Sequence, residues 1–180
     1  MTHSFRISFA LLAACLMAQF TSADDAPATN TYTATNTFKI GGPGRWDYAS
    51  VDSAAHRLYV TRSTHTQAID IETGKVVLDV PGQQRCHGAV AVPAINRGFI
   101  TDGKAGAIVV FDLKTGKVLG SVRAADDADG EIYDPAVDKI LATCGDAGVM
   151  VALDPSANPQ SAKVASVDLG GQPEFLAADA

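Results

Sequence analysis

Short apolar runs separated by turn residues fill the chain after residue 37, and they alternate with polar positions on a two-residue period. That period, with the richness in Val, Ile, Thr and Ala, predicts strands rather than helices. The runs recur. Tyr59-Val60-Thr61-Arg62 returns in altered form as Phe99-Ile100-Thr101-Asp102, and again as Leu141-Ala142-Thr143-Cys144. Each copy is followed by a second run that ends in aspartate, at the evenly spaced positions Asp70, Asp112 and Asp154. A fixed period in the 40s, built from short strands and turns, predicts an all-β chain of propeller blades, each a four-stranded antiparallel sheet.

The first repeat reads as an inner strand Asp47–Val51, a second strand Arg57–Thr61, a third Gln67–Ile71 and a fourth Val76–Val80. Glu72-Thr73-Gly74-Lys75 makes the outer hairpin and returns one period later as Lys114-Thr115-Gly116-Lys117. Blades are expected over about 38–80, 81–122 and 123–169, with a fourth starting in 170–180 through an inner strand Glu174–Asp179. Phe38-Lys39-Ile40 looks like a last strand set ahead of the first blade, placed to pair with the final blade and close the ring. Three blades and one strand fall short of the four to eight that close a ring. The expectation is therefore an incomplete propeller, the N-terminal part of a ring of about seven blades and roughly 300 residues.

Arg6, the apolar stretch Ile7–Phe20 and the small residues Thr21-Ser22-Ala23 form a secretory signal over residues 1–23, so a periplasmic or secreted protein is expected. The alternative is a lipid anchor at Cys15, within Leu12-Ala13-Ala14-Cys15. Neither needs a membrane span. Residues 24–37 read as a mobile leader of Thr, Asn, Ala and Asp. Export changes the reading of the remaining cysteines, since Cys86 and Cys144 could pair in an oxidising compartment or stay as two buried thiols. The net charge of −6 and pI near 5.0 argue against a nucleic-acid partner.

Tyr59-Val60-Thr61 and the Asp-x-x-Thr-Gly-Lys-Val segments at Asp70–Val76 and Asp112–Val118 resemble the YVTN-family β-propeller repeats, over about residues 38–179. Arg62 stands where the family often has Asn, and the third blade keeps only Thr143 of the tripeptide motif. The resemblance implies a seven-bladed, often exported ring that acts as a binding or surface module, often without enzymatic activity.

In a propeller, the loop leading into the inner strand and the loop between the second and third strands meet at one mouth of the central channel. These loops supply Arg45, Trp46, Asp47, Arg62, Arg85, His87, Asp102, Glu131 and Glu174 as candidate ligand-binding residues. Arg45, Trp46, Arg62 and Arg85 would suit an anionic or aromatic ligand, although Trp46 is expected to pack between blades. Asp47, His87, Glu131 and Glu174, one per blade, form a candidate metal set for Ca²⁺ or a harder transition metal. Propeller lactonases hold a catalytic Ca²⁺ in such a channel, so a metal-dependent hydrolase is the enzymatic alternative. A cell-surface structural repeat protein is the third. No Gly-x-Ser-x-Gly elbow, phosphate loop or haem-attachment motif is present, so no cofactor other than Ca²⁺ is expected. The partner is expected to be a protein or small molecule that the sequence does not name.

Overall fold

The computed structural model describes residues 32–179; the expected signal peptide and Cys15 lie outside them. Residues 32–37 are exposed and carry no regular structure. Beyond them run eleven strands: β1 (Ala49–Asp52), β2 (Arg57–Thr61), β3 (Ser63–Asp70), β4 (Val76–Val92), β5 (Arg97–Asp102), β6 (Ala107–Asp112), β7 (Val118–Arg123), β8 (Ala128–Asp134), β9 (Lys139–Cys144), β10 (Val149–Leu153) and β11 (Ala165–Asp168). Every pairing is antiparallel between sequence neighbours, in the orders β1 to β7 and β8 to β11. Among the described residues no helix is long and apolar enough to cross a membrane.

The seven-stranded sheet is two blades joined by one strand. The first half of the 17-residue β4 pairs with β3, Thr66 opposite Val80, and forms the outer edge of the first blade. Its second half pairs with β5, Ala89 opposite Ile100, and forms the inner edge of the second. The blades are thus β1–β3 with the start of β4, the end of β4 with β5–β7, and β8–β11. A register shift between Cys86 and Ala89, repeated between Ala128 and Glu131, bends each inner strand at the same point.

Why Ala107-Ile108-Val109-Val110-Phe111 is apolar throughout follows from its place. The middle blade is covered on both faces, so alternate side chains enter different cores. Ile108 and Val110 join Phe99, Val122, Ile140, Ala142, Val151 and Leu153 against the third blade. Val109 and Phe111 join Tyr59, Ala68, Val80 and Ile100 against the first, with the Tyr59 and Phe111 rings edge to face at 6.1 Å. Each large side chain buried this way contributes about 1.5–3 kcal/mol. Cys86 and Cys144 are buried free thiols, one in each core, so the unpaired reading is the one observed.

The recurring aspartates close the outer hairpins. Asp70 Oδ1 accepts from the Thr73 N–H and hydroxyl, both at 2.8 Å, and Asp112 Oδ1 does the same with Thr115 at 2.8 and 2.9 Å. These donors hold both carboxyls below their ordinary pKa. Gly74 follows with φ +70°, a conformation costly for residues with a Cβ.

Two expected strands do not form. Phe38–Ile40 joins no ladder among the described residues; the Phe38 ring packs onto the first hairpin, where a Cβ on Gly74 would come within 2.2 Å of it. Glu174–Asp179 is irregular as well. An inner strand ladders with the second strand of its own blade, and no such partner lies among the described residues.

Candidate functional site at the channel mouth

Threonines set the register of the mouth. Thr61, Thr101 and Thr143 occupy one position on the second strand of successive blades, and each hydroxyl reaches a backbone carbonyl at the start of the next. The acceptors are His87 at 2.7 Å, Asp129 at 2.5 Å and Glu174 at 3.1 Å. The same stitch links Tyr48 N–H to the His87 carbonyl and Gly130 N–H to the Glu174 carbonyl, so Asp47 and Asp129 hold matching positions. One side chain per blade position therefore meets at the mouth: Asp47, His87, Asp129 and Glu174.

This corrects the third member of the candidate metal set. Glu131 is the counterpart of Ala89, since Ala89 pairs with Ile100 and Glu131 with Ala142, one repeat further along in both strands. It sits in the seam between the second and third blades, its Cγ 3.0 Å from where a Gly88 Cβ would be. Both carboxylate oxygens are buried without a hydrogen-bond partner. Burial pushes Glu131 up to about 8; the backbone N–H of Thr101 pulls the other way without closing a bond. Asp129, in contrast, is in contact with the mouth groups. Its side chain is 7% exposed, with Oδ1 at 3.7 Å from His87 Nδ1. Burial raises Asp129 to about 6; the carboxyls of Glu174 and Asp47 add to the rise, and His87 opposes it.

His87 is held rather than free. Its Nδ1 lies 2.7 Å from Asp47 Oδ2, while Nε2 is buried against Gly103, where a Cβ would approach to 2.7 Å. Arg85 forms an ion pair with Asp127. Donor atoms of His87, Asp127 and Asp129 all lie within 4.8 Å of one another, close enough to converge on one cation.

The remaining candidates divide into ligand-facing and structural groups. Arg45, Trp46, Asp47, Arg85 and His87, with Ser63 and Cys86, line a cavity of about 480 Å³. Trp46 is 78% exposed on its wall, so it does not pack between blades as expected from the sequence. Arg62 is not available to a ligand. Its guanidinium donates to the carbonyls of Gly41, Gly42 and Pro43 at 2.9–3.1 Å and to Gln67 Oε1 at 3.2 Å, which fixes the loop ahead of Trp46. Asp102 is likewise internal, accepting from the N–H groups of Gln84 at 2.9 Å and Arg85 at 3.1 Å. Glu174 is exposed, and its carbonyl also receives the Tyr48 hydroxyl at 3.3 Å. Sequence reasoning passed over Asp127 and chose Glu131 above Asp129. The signal was present: Asp129 follows His87 by the same interval that separates the hairpin aspartates.

No family model and no curated protein sequence matches the chain. Solved structures do match, and they are propellers. Hydrazine synthase of Kuenenia stuttgartiensis aligns at a TM-score of 0.66 with 11% identity, over 80% of this chain and 42% of its own. A protein assigned as a 6-phosphogluconolactonase from Bacteroides fragilis aligns at 0.65 with 14% identity, over 77% of this chain and 43% of its own. Sqt1 of Chaetomium thermophilum, solved bound to the N-terminus of ribosomal protein L10, aligns at 0.60 with 12% identity, over 73% and 38%. The chain thus spans about two fifths of the length of each. At these identities the likeness establishes the β-propeller fold.

Proposed function

We propose that this chain belongs to an exported, YVTN-type propeller that acts as a binding module, taking its ligand at the channel mouth. The observation that carries the reading is Trp46, a large apolar ring exposed on the wall of a 480 Å³ cavity that also presents Arg45, Asp47, Arg85 and His87. An exposed aromatic ring beside charged groups is how soluble proteins build recognition surfaces. Export rests on the apolar stretch Ile7–Phe20 and its flanks.

The test uses a property of the sequence: Trp46 is the only tryptophan, so its fluorescence reports the cavity alone. Ligands that raise the melting temperature are expected to shift that emission. Stabilising ligands that leave the emission unchanged would place binding elsewhere and end this reading.

A second reading, a metal-dependent hydrolase, is supported by the convergence of His87, Asp127 and Asp129. The fit is partial, because Asp127 is already paired with Arg85 and His87 Nδ1 with Asp47. A cation would have to displace both. Lactone hydrolysis that appears on adding CaCl₂ and vanishes with EDTA would favour it over the binding module.

A further inference from the structure

We infer that the mouth recognises a basic side chain of a peptide or protein, an Arg or Lys inserted between Trp46 and the carboxylates; this rests on the binding reading above. Two carboxylates, Asp47 and Asp129, flank one imidazole there, and the Glu174 carboxyl acts on Asp129. That imidazole is committed to Asp47 at 2.7 Å and stands 3.7 Å from Asp129, beyond hydrogen-bond distance. The Asp129 side chain, only 7% exposed, meets the Glu174 carboxyl, one acid against another, and receives no hydrogen bond from an N–H among the described residues. A carboxylate withdrawn from water in this way is stabilised by a cation with N–H donors.

Which cation follows from the surroundings. The adjacent acid, Asp127, already holds the Arg85 guanidinium, so the cluster accommodates that group within its own chain. Trp46, 78% exposed, lines one cavity with Asp47, the carboxylate nearest to it in the chain, and there the stem of a long basic side chain could lie and its charge gain a cation–π contact. A bare metal ion has no use for an indole wall.

The experiment titrates the full chain with an arginine-centred heptapeptide and with its citrulline and glutamate counterparts, following Trp46 emission, and runs CaCl₂ in parallel. The arginine peptide is expected to bind at least tenfold more tightly than the citrulline one, with an affinity that weakens as salt rises. Asp129→Asn, and Asp47→Asn on the more exposed rim, are each expected to remove at least tenfold. Melting curves establish that both variants fold. Equal binding of the arginine and citrulline peptides overturns the proposal, as does an emission change seen with CaCl₂ but not with the peptide. Preference for the glutamate peptide would also overturn it while leaving the binding site at Trp46 standing. No emission change with any of the four probes would overturn the proposal, while the binding reading falls only if a stabilising ligand leaves the emission unchanged.

Discussion

The seam between the first two blades and the seam between the second and third follow one plan, yet they differ at a single matched position. Ala89 fills it in the first seam, 5% exposed and among apolar neighbours. Glu131 fills it in the second, buried as well, with neither oxygen satisfied. Repetition fixes the backbone here, down to the register shift that bends both inner strands. It leaves the side chain to local space. The carboxyl is accommodated because Gly88, facing it across the second seam, has no side chain. Shape complementarity between blades is therefore kept while chemical complementarity is not.

The largest expected effect comes from copying the exchange into the first seam. Ala89→Glu would bury a second carboxyl where Tyr48 stands at the position of Gly88, and should destabilise the chain by about 3 kcal/mol or more through overpacking and desolvation. Urea unfolding measures it. A loss below about 1 kcal/mol, the size of an average substitution, would mean that the two seams are not equivalent environments.

Next is the reverse change. Glu131 rises from about 4.5 in the unfolded chain to about 8 in the fold. Below the lower value the carboxyl is neutral in both states and its contribution to stability is whole; as pH climbs through 8 that contribution is lost. The wild-type melting temperature should therefore fall relative to that of Glu131→Gln between pH 5 and 9, a difference on the order of a few kcal/mol at the alkaline end. Parallel profiles would show that Glu131 finds a partner or reaches water.

Thr101→Val should cost about 1–2 kcal/mol, because it frees both the Asp129 carbonyl and the Gly88 N–H, which donates to the same hydroxyl at 2.8 Å. Thr61→Val in the first seam should cost less, since Tyr48 N–H still reaches the His87 carbonyl at 3.2 Å. A double variant that costs the sum of the two would show that the seams act independently.

Smallest of all is Asp112→Ala at an exposed hairpin. Because its carboxyl is held below the ordinary value, the stability it lends is present above about pH 4 and disappears as pH falls through the lowered pKa. Melting curves of wild type and variant should converge towards pH 2.

Much of this was legible from the chain. The spacing of Asp70, Asp112 and Asp154 marked the hairpins, and Tyr59-Val60-Thr61 marked the second strand at its observed bounds, because turn chemistry and strand alternation are local. The mouth was legible in its members but not in their register. Glu131 and Asp129 both lie in the first half of β8, and only the carbonyl that Thr101 grips separates a mouth residue from a seam residue. Arg62 was misjudged for a related reason: nothing local announces that the loop from Gly41 to Gly44 will wrap its carbonyls around a guanidinium. Trp46 broke the ordinary rule that a lone tryptophan goes inside, and such breaches concentrate where a protein meets something else.

The shared strand β4 has a consequence for how such an array can be divided. The strand continues from the rim of one blade into the hub of the next, but its residues 82–85 have no ladder partner, and they stand one period before the non-strand stretch 124–127 that joins the second and third blades. A nick or a tandem duplication at either stretch respects both sheets and cuts the array in phase with its blades, whereas one at an outer hairpin leaves a heritable module out of phase with them.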